Sequence, residues 1–267
     1  MRQQTSYWIQ EKARRIACLA RYSTNVFWRI KEVDTVSEKL VVTAGDGGKF
    51  NCLVEKPGQK ATAAVIIIQE IFGVTKWLKS AAEWYASNGY LAIVPDLFWR
   101  LEPGLNLNDR DEADLKKAFK YYGEFDKDKG IEDLKHVLKE VRAMKVGDGK
   151  VGISGYCLGG LMTYLMAARS DVDASVAYYG GGIDEFLGEA HNIKKPIMMH
   201  FAEDDGYITK DKQDKIKNAF ASNSSASIYT YPNTDHAFCR VGGQNYNMQV
   251  AELANGRTLE FFKKNLA

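Results

Sequence analysis

Residues 151–168 read Val-Gly-Ile-Ser-Gly-Tyr-Cys-Leu-Gly-Gly-Leu-Met-Thr-Tyr-Leu-Met-Ala-Ala, and this stretch decides the fold. The apolar run at 151–154 predicts a short buried strand, and the apolar run at 160–168 predicts a helix. Between them, residues 155–159 have the Gly-x-nucleophile-x-Gly form, in which glycines let the backbone turn sharply from strand to helix. The pattern predicts that Cys157 is a nucleophile presented at the top of a sheet.

The helix that follows Cys157 favours this chemistry. Free N–H groups at a helix N-terminus, together with the helix dipole, stabilise the negative charge of a thiolate. The alternative is a small buried cysteine in a glycine-rich turn, since free cysteines are commonly buried. The strand–turn–helix context favours the nucleophile.

A thiol nucleophile needs a base, and among the four histidines we select His236. It lies in the loop after the predicted strand 228–231, and loops at the ends of late strands often carry catalytic residues. His136 belongs to a charged helical pattern and is expected on a solvated face. His191 lies in a polar connection. His200 lies in an apolar run, which predicts a core or strand-end histidine.

The acid that orients the imidazole is expected after the strand at 196–201. Glu203, Asp204 and Asp205 follow one another there, and spacing alone does not choose among them. A solvated acidic turn that caps a helix near Thr209 would account for two of the three.

Four segments resemble the dienelactone hydrolases, which are cysteine-dependent α/β-hydrolases. The resemblance covers about residues 39–265 and implies an α/β-hydrolase fold, with a mostly parallel central sheet and helices on both faces. The segments are Gln69-Glu70-Ile71-Phe72-Gly73-Val74, Pro95-Asp96-Leu97, Gly155-Tyr156-Cys157-Leu158-Gly159-Gly160 and Asp235-His236-Ala237-Phe238.

The resemblance also implies roles for individual residues. It selects Asp205 as the acid and places an oxyanion hole at the backbone N–H groups of Ile71 and Leu158. In family members, a glutamate at the position of Glu70 pairs with an arginine until a substrate carboxylate displaces it, and then deprotonates the cysteine. Arg240 occupies that arginine position here, and the alternative is an ordinary surface arginine.

One departure from the family concerns the substrate. Family members carry a second carboxylate-binding arginine on a helix, followed by an aromatic pair. The corresponding residues here are Leu115, Phe119 and Tyr122, and the lysines that follow Leu115 face elsewhere on a helix. Together with Phe72 and Arg240, these three residues are expected to contact the substrate. An apolar wall at Leu115 puts dienelactone itself in doubt as a substrate.

The predicted reaction is acyl transfer through an acyl-cysteine. The thiolate attacks a carbonyl, and each oxyanion-hole donor lowers the barrier by roughly 3 kcal/mol. His236 then activates the water that releases the acid. The predicted function is hydrolysis of a lactone or small ester that carries one carboxylate, with no cofactor and no metal. The alternatives are a silent small-molecule binder of the same fold, and a carboxylesterase or thioesterase for uncharged substrates.

Length and composition predict one large catalytic domain. The 267 residues are 45% apolar, and short Val/Ile-rich runs alternate with helical stretches, as in an α/β protein. We place this domain at residues 39–267 and expect a monomer. The four cysteines have no paired spacing, which predicts a reducing compartment, the cytoplasm. No stretch is long enough to span a membrane.

The N-terminal residues differ from the rest in charge. Residues 1–31 contain seven basic residues and one acidic residue, a balance of +6. Because the whole chain carries +2, residues 32–267 carry −4, which excludes a nucleic-acid binder by charge. We interpret residues 1–38 as a flexible basic extension or as the product of a misassigned start; an amphipathic targeting or surface-binding helix is the alternative.

Overall fold

The computed structural model describes residues 35–266. Eight strands form one sheet in the order β1-β2-β4-β3-β5-β6-β7-β8. The pairs β1–β2 and β2–β4 are antiparallel, and every other neighbouring pair is parallel. The strands are β1 Val36–Thr43, β2 Lys49–Lys56, β3 Ala63–Ile68, β4 Tyr90–Pro95, β5 Val151–Tyr156, β6 Ala174–Tyr178, β7 Ile197–Ala202 and β8 Ala226–Tyr231.

Helices connect and flank these strands, and side chains cap the N-termini of four of them. The side chains of Thr75, Asp111, Asp126 and Asn247 accept hydrogen bonds from backbone N–H groups of the first turn that follows each. The helices are α1 Lys76–Ser87, α2 Glu112–Glu124, α3 Lys127–Ala143, α4 Leu158–Arg169, α5 Lys210–Ala219 and α6 Met248–Leu266, with a 3-10 helix at Ile183–Asn192.

The central strands are apolar because both faces of the sheet are covered. Every residue of β3, β4, β5, β6 and β7 is buried. Parallel strands buried on both faces need no polar alternation, which explains the continuous apolar runs in the sequence. The predicted α/β architecture with a mostly parallel sheet is confirmed.

The structure differs from the sequence-based expectation at the N-terminal edge. The hairpin of β1 and β2 is absent from the predicted elements, because six of the eight residues of β1 are exposed and most of these are polar. The expected boundary after residue 38 falls inside this strand, which pairs with β2 from Val36. Residues 1–34, which make up most of the predicted basic extension, lie outside the described residues. Within residues 35–266, no helix combines the length and the apolar character needed to cross a membrane.

Candidate active site

Cys157 lies between β5 and α4 in a strained backbone conformation. Its φ is 56° and its ψ is −114°, a region that L-residues rarely adopt. Its N–H donates to the carbonyl oxygen of Tyr178, 3.0 Å away, on the neighbouring strand. A Cβ atom at Gly155 would lie 2.0 Å from the carbonyl oxygen of Gly159. The glycines of the motif are therefore required by close backbone contacts, and they force the turn that presents the thiol.

His236 and Asp205 come from two neighbouring loops and form a hydrogen-bonded pair. Asp205 follows β7, His236 follows β8, and the distance from Nδ1 to Oδ2 is 2.8 Å. The other carboxylate oxygen of Asp205 accepts the backbone N–H groups of Tyr207 (2.8 Å) and Ile208 (3.0 Å). Asp205 is buried and held at both oxygens. Of the three adjacent acids that the sequence left open, it is the one that reaches the imidazole.

The surroundings of His236 raise its pKa. Burial disfavours the imidazolium, but the negative charge of Cys157 and the hydrogen bonds to Asp205 and Cys157 outweigh burial and raise the pKa to about 10. Two tyrosine rings pack edge-on against the imidazole, Tyr179 at 5.1 Å and Tyr207 at 4.9 Å between ring centroids. The ring is therefore fixed in place and carries a proton at neutral pH when Cys157 is anionic.

Two backbone N–H groups next to Cys157 are free to receive a ligand oxygen. The loop carrying Ile71 and the first turn of α4, which begins at Leu158, both line the same cavity as Cys157. Within residues 35–266, neither of these N–H groups donates to a backbone or side-chain acceptor. Backbone N–H groups that lack an acceptor within the protein are the kind of donor that an oxyanion hole uses.

Arg240 joins two acids beside the cysteine. Its guanidinium contacts a carboxylate oxygen of Glu70 at 3.0 Å and one of Asp109 at 3.1 Å. The guanidinium also lies over the Phe72 ring, 5.1 Å from its centroid. Burial raises the pKa of Glu70, and the charge of Arg240 opposes that shift. The expected pair of Glu70 and Arg240 is thus present, and Arg240 is not an ordinary surface arginine, since only 17% of its side chain is exposed.

A cavity of about 270 Å³ unites these groups. One wall is apolar or aromatic and comes from α2, through Leu115, Phe119 and Tyr122. The lysines that follow Leu115 do not line the cavity: Lys116 pairs with Glu112 at 2.6 Å, and Lys117 with Glu102 at 2.6 Å. The structure therefore brings together every predicted site residue, with Asp205 lying behind the imidazole rather than in the lining.

Sequence reasoning missed several residues of this cavity. Asp109 gave no signal, since it lies in a polar loop far along the chain from Arg240. Tyr207 is two residues beyond Asp205, so the loop that carries the acid was the signal that could have found it. Within the described part of the chain, no group of three acidic, histidine or cysteine side chains is arranged to hold a metal ion.

The other histidines lie away from the cavity. His200 is fully buried in β7, as expected of a core histidine. His191 is exposed in the 3-10 helix. His136 differs from its expected solvated position: it is half-buried, because its ring packs beside Gly45.

Comparisons with known proteins agree with this geometry. A family model for the dienelactone hydrolase family matches residues 50–266. A protein of Azospirillum brasilense named “Putative carboxymethylenebutenolidase” is 38% identical over 228 residues, which cover 85% of this chain and 98% of that protein. The carboxymethylenebutenolidase of Pseudomonas putida is 33% identical over 226 residues, covering 85% and 96%.

Solved structures show the same architecture. The crystal structure of a putative dienelactone hydrolase from Klebsiella pneumoniae superimposes with a TM-score of 0.77 at 27% identity, and the match covers 86% of this chain and 99% of that one. A dienelactone hydrolase-like promiscuous phosphotriesterase from metagenomic libraries superimposes with a TM-score of 0.73 at 20% identity, covering 86% and 98%. The second likeness concerns the fold alone.

Proposed function

Because the chain belongs to the dienelactone hydrolase family and is a hydrolase of carboxylic ester or lactone bonds, we propose that it cleaves a lactone or small ester through an acyl-cysteine formed on Cys157. The observation that carries this proposal is the placement of Cys157. It stands on a strained turn and lines the same cavity as His236, whose imidazole Asp205 holds through Nδ1 at 2.8 Å.

Acylation begins at the Cys157 sulfur. The thiolate attacks the carbonyl carbon, a carbon–sulfur bond forms, and the carbonyl electron pair moves onto oxygen. The N–H groups of Ile71 and Leu158 receive this oxyanion. When the tetrahedral intermediate collapses, the carbon–oxygen ester bond breaks. The leaving alkoxide or enolate takes the proton of the His236 imidazolium.

Deacylation uses the imidazole that acylation leaves neutral. His236 removes a proton from water, the hydroxide attacks the acyl carbon, and the carbon–sulfur bond breaks. The thiolate and the imidazolium are restored together, so the cycle closes without a cofactor. Asp205 keeps the ring in the tautomer whose Nε2 faces the reaction, because it accepts the proton on Nδ1.

Glu70 serves as a second base in this proposal. It lies within the cavity lining, and its Oε1 has no hydrogen-bond partner among the described residues although it is buried. Where the resting cysteine is a neutral thiol, this buried carboxylate with a raised pKa accepts the thiol proton and so generates the thiolate, keeps that proton while His236 carries out the proton transfers of acylation and deacylation, and returns it to Cys157 after the product leaves. We also propose that the protein works in the cytoplasm, because the four cysteines have no paired spacing and so predict a reducing compartment.

Replacement of the nucleophile tests the mechanism. Cys157→Ala is expected to abolish hydrolysis of an aryl ester such as 4-nitrophenyl acetate and to leave the circular dichroism spectrum unchanged. Cys157→Ser is expected to retain only a trace, because a hydroxyl is far less acidic than a thiol. Intact-protein mass spectra of the wild type, quenched during turnover, should show one added acyl group that peptide mapping places on Cys157.

A matched control uses a cysteine outside the cavity. Cys52 is fully buried in β2, and burial raises the pKa of its thiol to about 12. Cys52→Ala is therefore expected to keep wild-type turnover and the acyl adduct. Near-normal turnover by Cys157→Ala would reject the proposed nucleophile, and an intact fold with no hydrolysis of any ester or lactone by the wild type would favour the silent binder.

A further inference from the structure

Arg240 is paired with two acidic side chains at once. Glu70 and Asp109 contact different nitrogens of its guanidinium, at 3.0 and 3.1 Å. The three side chains are 5%, 23% and 17% exposed for Glu70, Asp109 and Arg240, so water screens them only in part. Two acids face one base. Even with one of the acids protonated, Arg240 would have no uncompensated positive charge to offer a substrate.

No other fixed cation faces the catalytic cavity within residues 35–266. Apart from Arg240, the basic member of its lining is His236, whose Nδ1 contacts a carboxylate oxygen of Asp205 at 2.8 Å. Lys76 and Arg110 line an adjoining cavity of about 300 Å³, on the far side of the Arg240 cluster. The guanidinium of Arg110 donates there to the carbonyl oxygen of Gly242.

The loop and helix that bring Asp109 into the site also shape the rest of the wall. Asp109 lies in the loop that precedes α2, and α2 supplies Leu115, Phe119 and Tyr122 to the same cavity. This one segment thus does two things. It presents the apolar side chain of Leu115 at the position where family members carry a second carboxylate-binding arginine. It also places the carboxylate of Asp109 against Arg240, the arginine that this chain retains.

We infer that Asp109 is a specificity-determining residue: it occupies Arg240 so that the site selects uncharged esters or lactones with an apolar portion and rejects those that carry a carboxylate. This inference rests on the proposed function of the same site. A substrate carboxylate that displaced Glu70 from Arg240 would share the guanidinium with Asp109, which contacts it at 3.1 Å. Two negative charges held by one guanidinium lie close together and repel each other. An uncharged substrate leaves the cluster intact and packs its apolar portion on α2.

Two esters of equal chain length test the inference. 4-Nitrophenyl butyrate and the 4-nitrophenyl monoester of succinate differ at the acyl end by a methyl group against a carboxylate. The wild type is expected to prefer butyrate in kcat/KM by at least about tenfold, which corresponds to ~1.4 kcal/mol. The preference should lie mainly in KM, and high salt should weaken it, because salt screens repulsion between charges.

Asp109→Asn keeps the shape of the side chain and removes its charge. It is expected to raise the succinate-to-butyrate ratio of kcat/KM about tenfold, the factor that ~1.4 kcal/mol of relieved repulsion gives. Glu112→Gln is the matched control: it makes the same change of charge three residues away, at an exposed residue outside the cavity, and should leave the ratio unchanged. Leu115→Arg, which adds a cation to the wall, should raise the ratio independently.

The outcomes separate this inference from the proposed function. Equal or better hydrolysis of the succinate ester by the wild type, or a ratio that Asp109→Asn does not change, would overturn the role of Asp109 while leaving the cysteine mechanism intact. If Asp109→Asn does not fold, the wild-type preference for the butyrate ester and the weakening of that preference by salt decide whether the inference holds. Failure of the wild type to hydrolyse either ester would instead count against the proposed function.

Discussion

His200 lies within β7 and His236 in the loop that follows the neighbouring strand β8, and their environments shift their pKa values in opposite directions. His200 is fully buried, and its ring nitrogens contact the hydroxyls of Tyr231 (2.8 Å) and Thr258 (3.1 Å). His236 is 11% exposed, and its partners are Asp205 and Cys157. Burial and the charge of Arg257 lower the pKa of His200 to about 3, whereas the pKa of His236 is raised to about 10.

The difference shows that partners, and not burial, decide what a buried histidine does. Burial disfavours the imidazolium in both residues. Uncharged hydroxyls do not compensate for that loss, so His200 stays neutral and serves packing. Asp205 and, when it is ionised, Cys157 do compensate, and in the proposed mechanism His236 holds the proton that the leaving group takes.

Of the effects that distinguish the two histidines, the largest is the expected loss of activity when His236 is replaced. His236→Ala should lower kcat/KM for an aryl ester by about a thousandfold, within the range of general acid–base catalysis. Loss of the base slows deacylation, so an acyl-cysteine should accumulate in intact-protein mass spectra. His191→Ala, at an exposed histidine, is the control and should behave as the wild type. Turnover that survives in His236→Ala would show that another group activates the water.

A smaller loss is expected when His236 keeps its ring but loses its anionic partner. Asp205→Asn should lower kcat/KM by about a hundredfold or more, because an amide no longer fixes the imidazole tautomer or stabilises the imidazolium. The pH–rate profile should also shift, since the pKa of His236 should fall. Asp204→Asn changes an exposed neighbour and should have little effect. A reversed result would mean that Asp204 is the acid that acts in solution.

The smallest effect concerns His200 and is measured on stability. Its folded pKa of about 3 lies below the ordinary value of 6.5, so the unfolded chain binds the proton more readily. The stabilisation by the neutral ring is therefore present above pH 6.5 and is lost as the pH falls towards 3. This group alone should lower the free energy of unfolding by about 2 kcal/mol between pH 7 and pH 5.

Denaturant titrations at the two pH values check this expectation. His200→Gln should be less stable at pH 7, because it disturbs the contacts with Tyr231 and Thr258, but its loss of stability between pH 7 and pH 5 should be smaller than that of the wild type. His191→Gln should keep the wild-type dependence. Parallel pH dependences for His200→Gln and the wild type would show that His200 does not titrate as its surroundings imply.

The sequence was sufficient wherever local geometry determines the result. Residues 155–160 predict a strand-to-helix turn because glycines are needed where backbones nearly touch, and the structure places them in such contacts. The central strands were visible because burial on both faces leaves continuous apolar runs. His200 was recognised as a core residue from the apolar run around it. None of these inferences needed a contact distant in sequence.

Contacts between distant segments could not be predicted in the same way. Asp109 and Arg240 are far apart in the chain, and only the folded loops bring them to 3.1 Å. The choice of Asp205 over its neighbours depended on which side chain points inward, and family resemblance supplied it. The β1 strand escaped prediction because its exposed polar residues give no burial pattern.

The backbone strain at Cys157 has a consequence for engineering this protein. A non-glycine residue held at φ 56° costs on the order of 1–3 kcal/mol of stability, and only glycine would adopt this conformation freely. Glycine has no thiol, so thermostability and activity compete directly at this position. Stabilising substitutions are better sought on the exposed edge strand β1, where Val36 and Val41 are exposed and the backbone is relaxed.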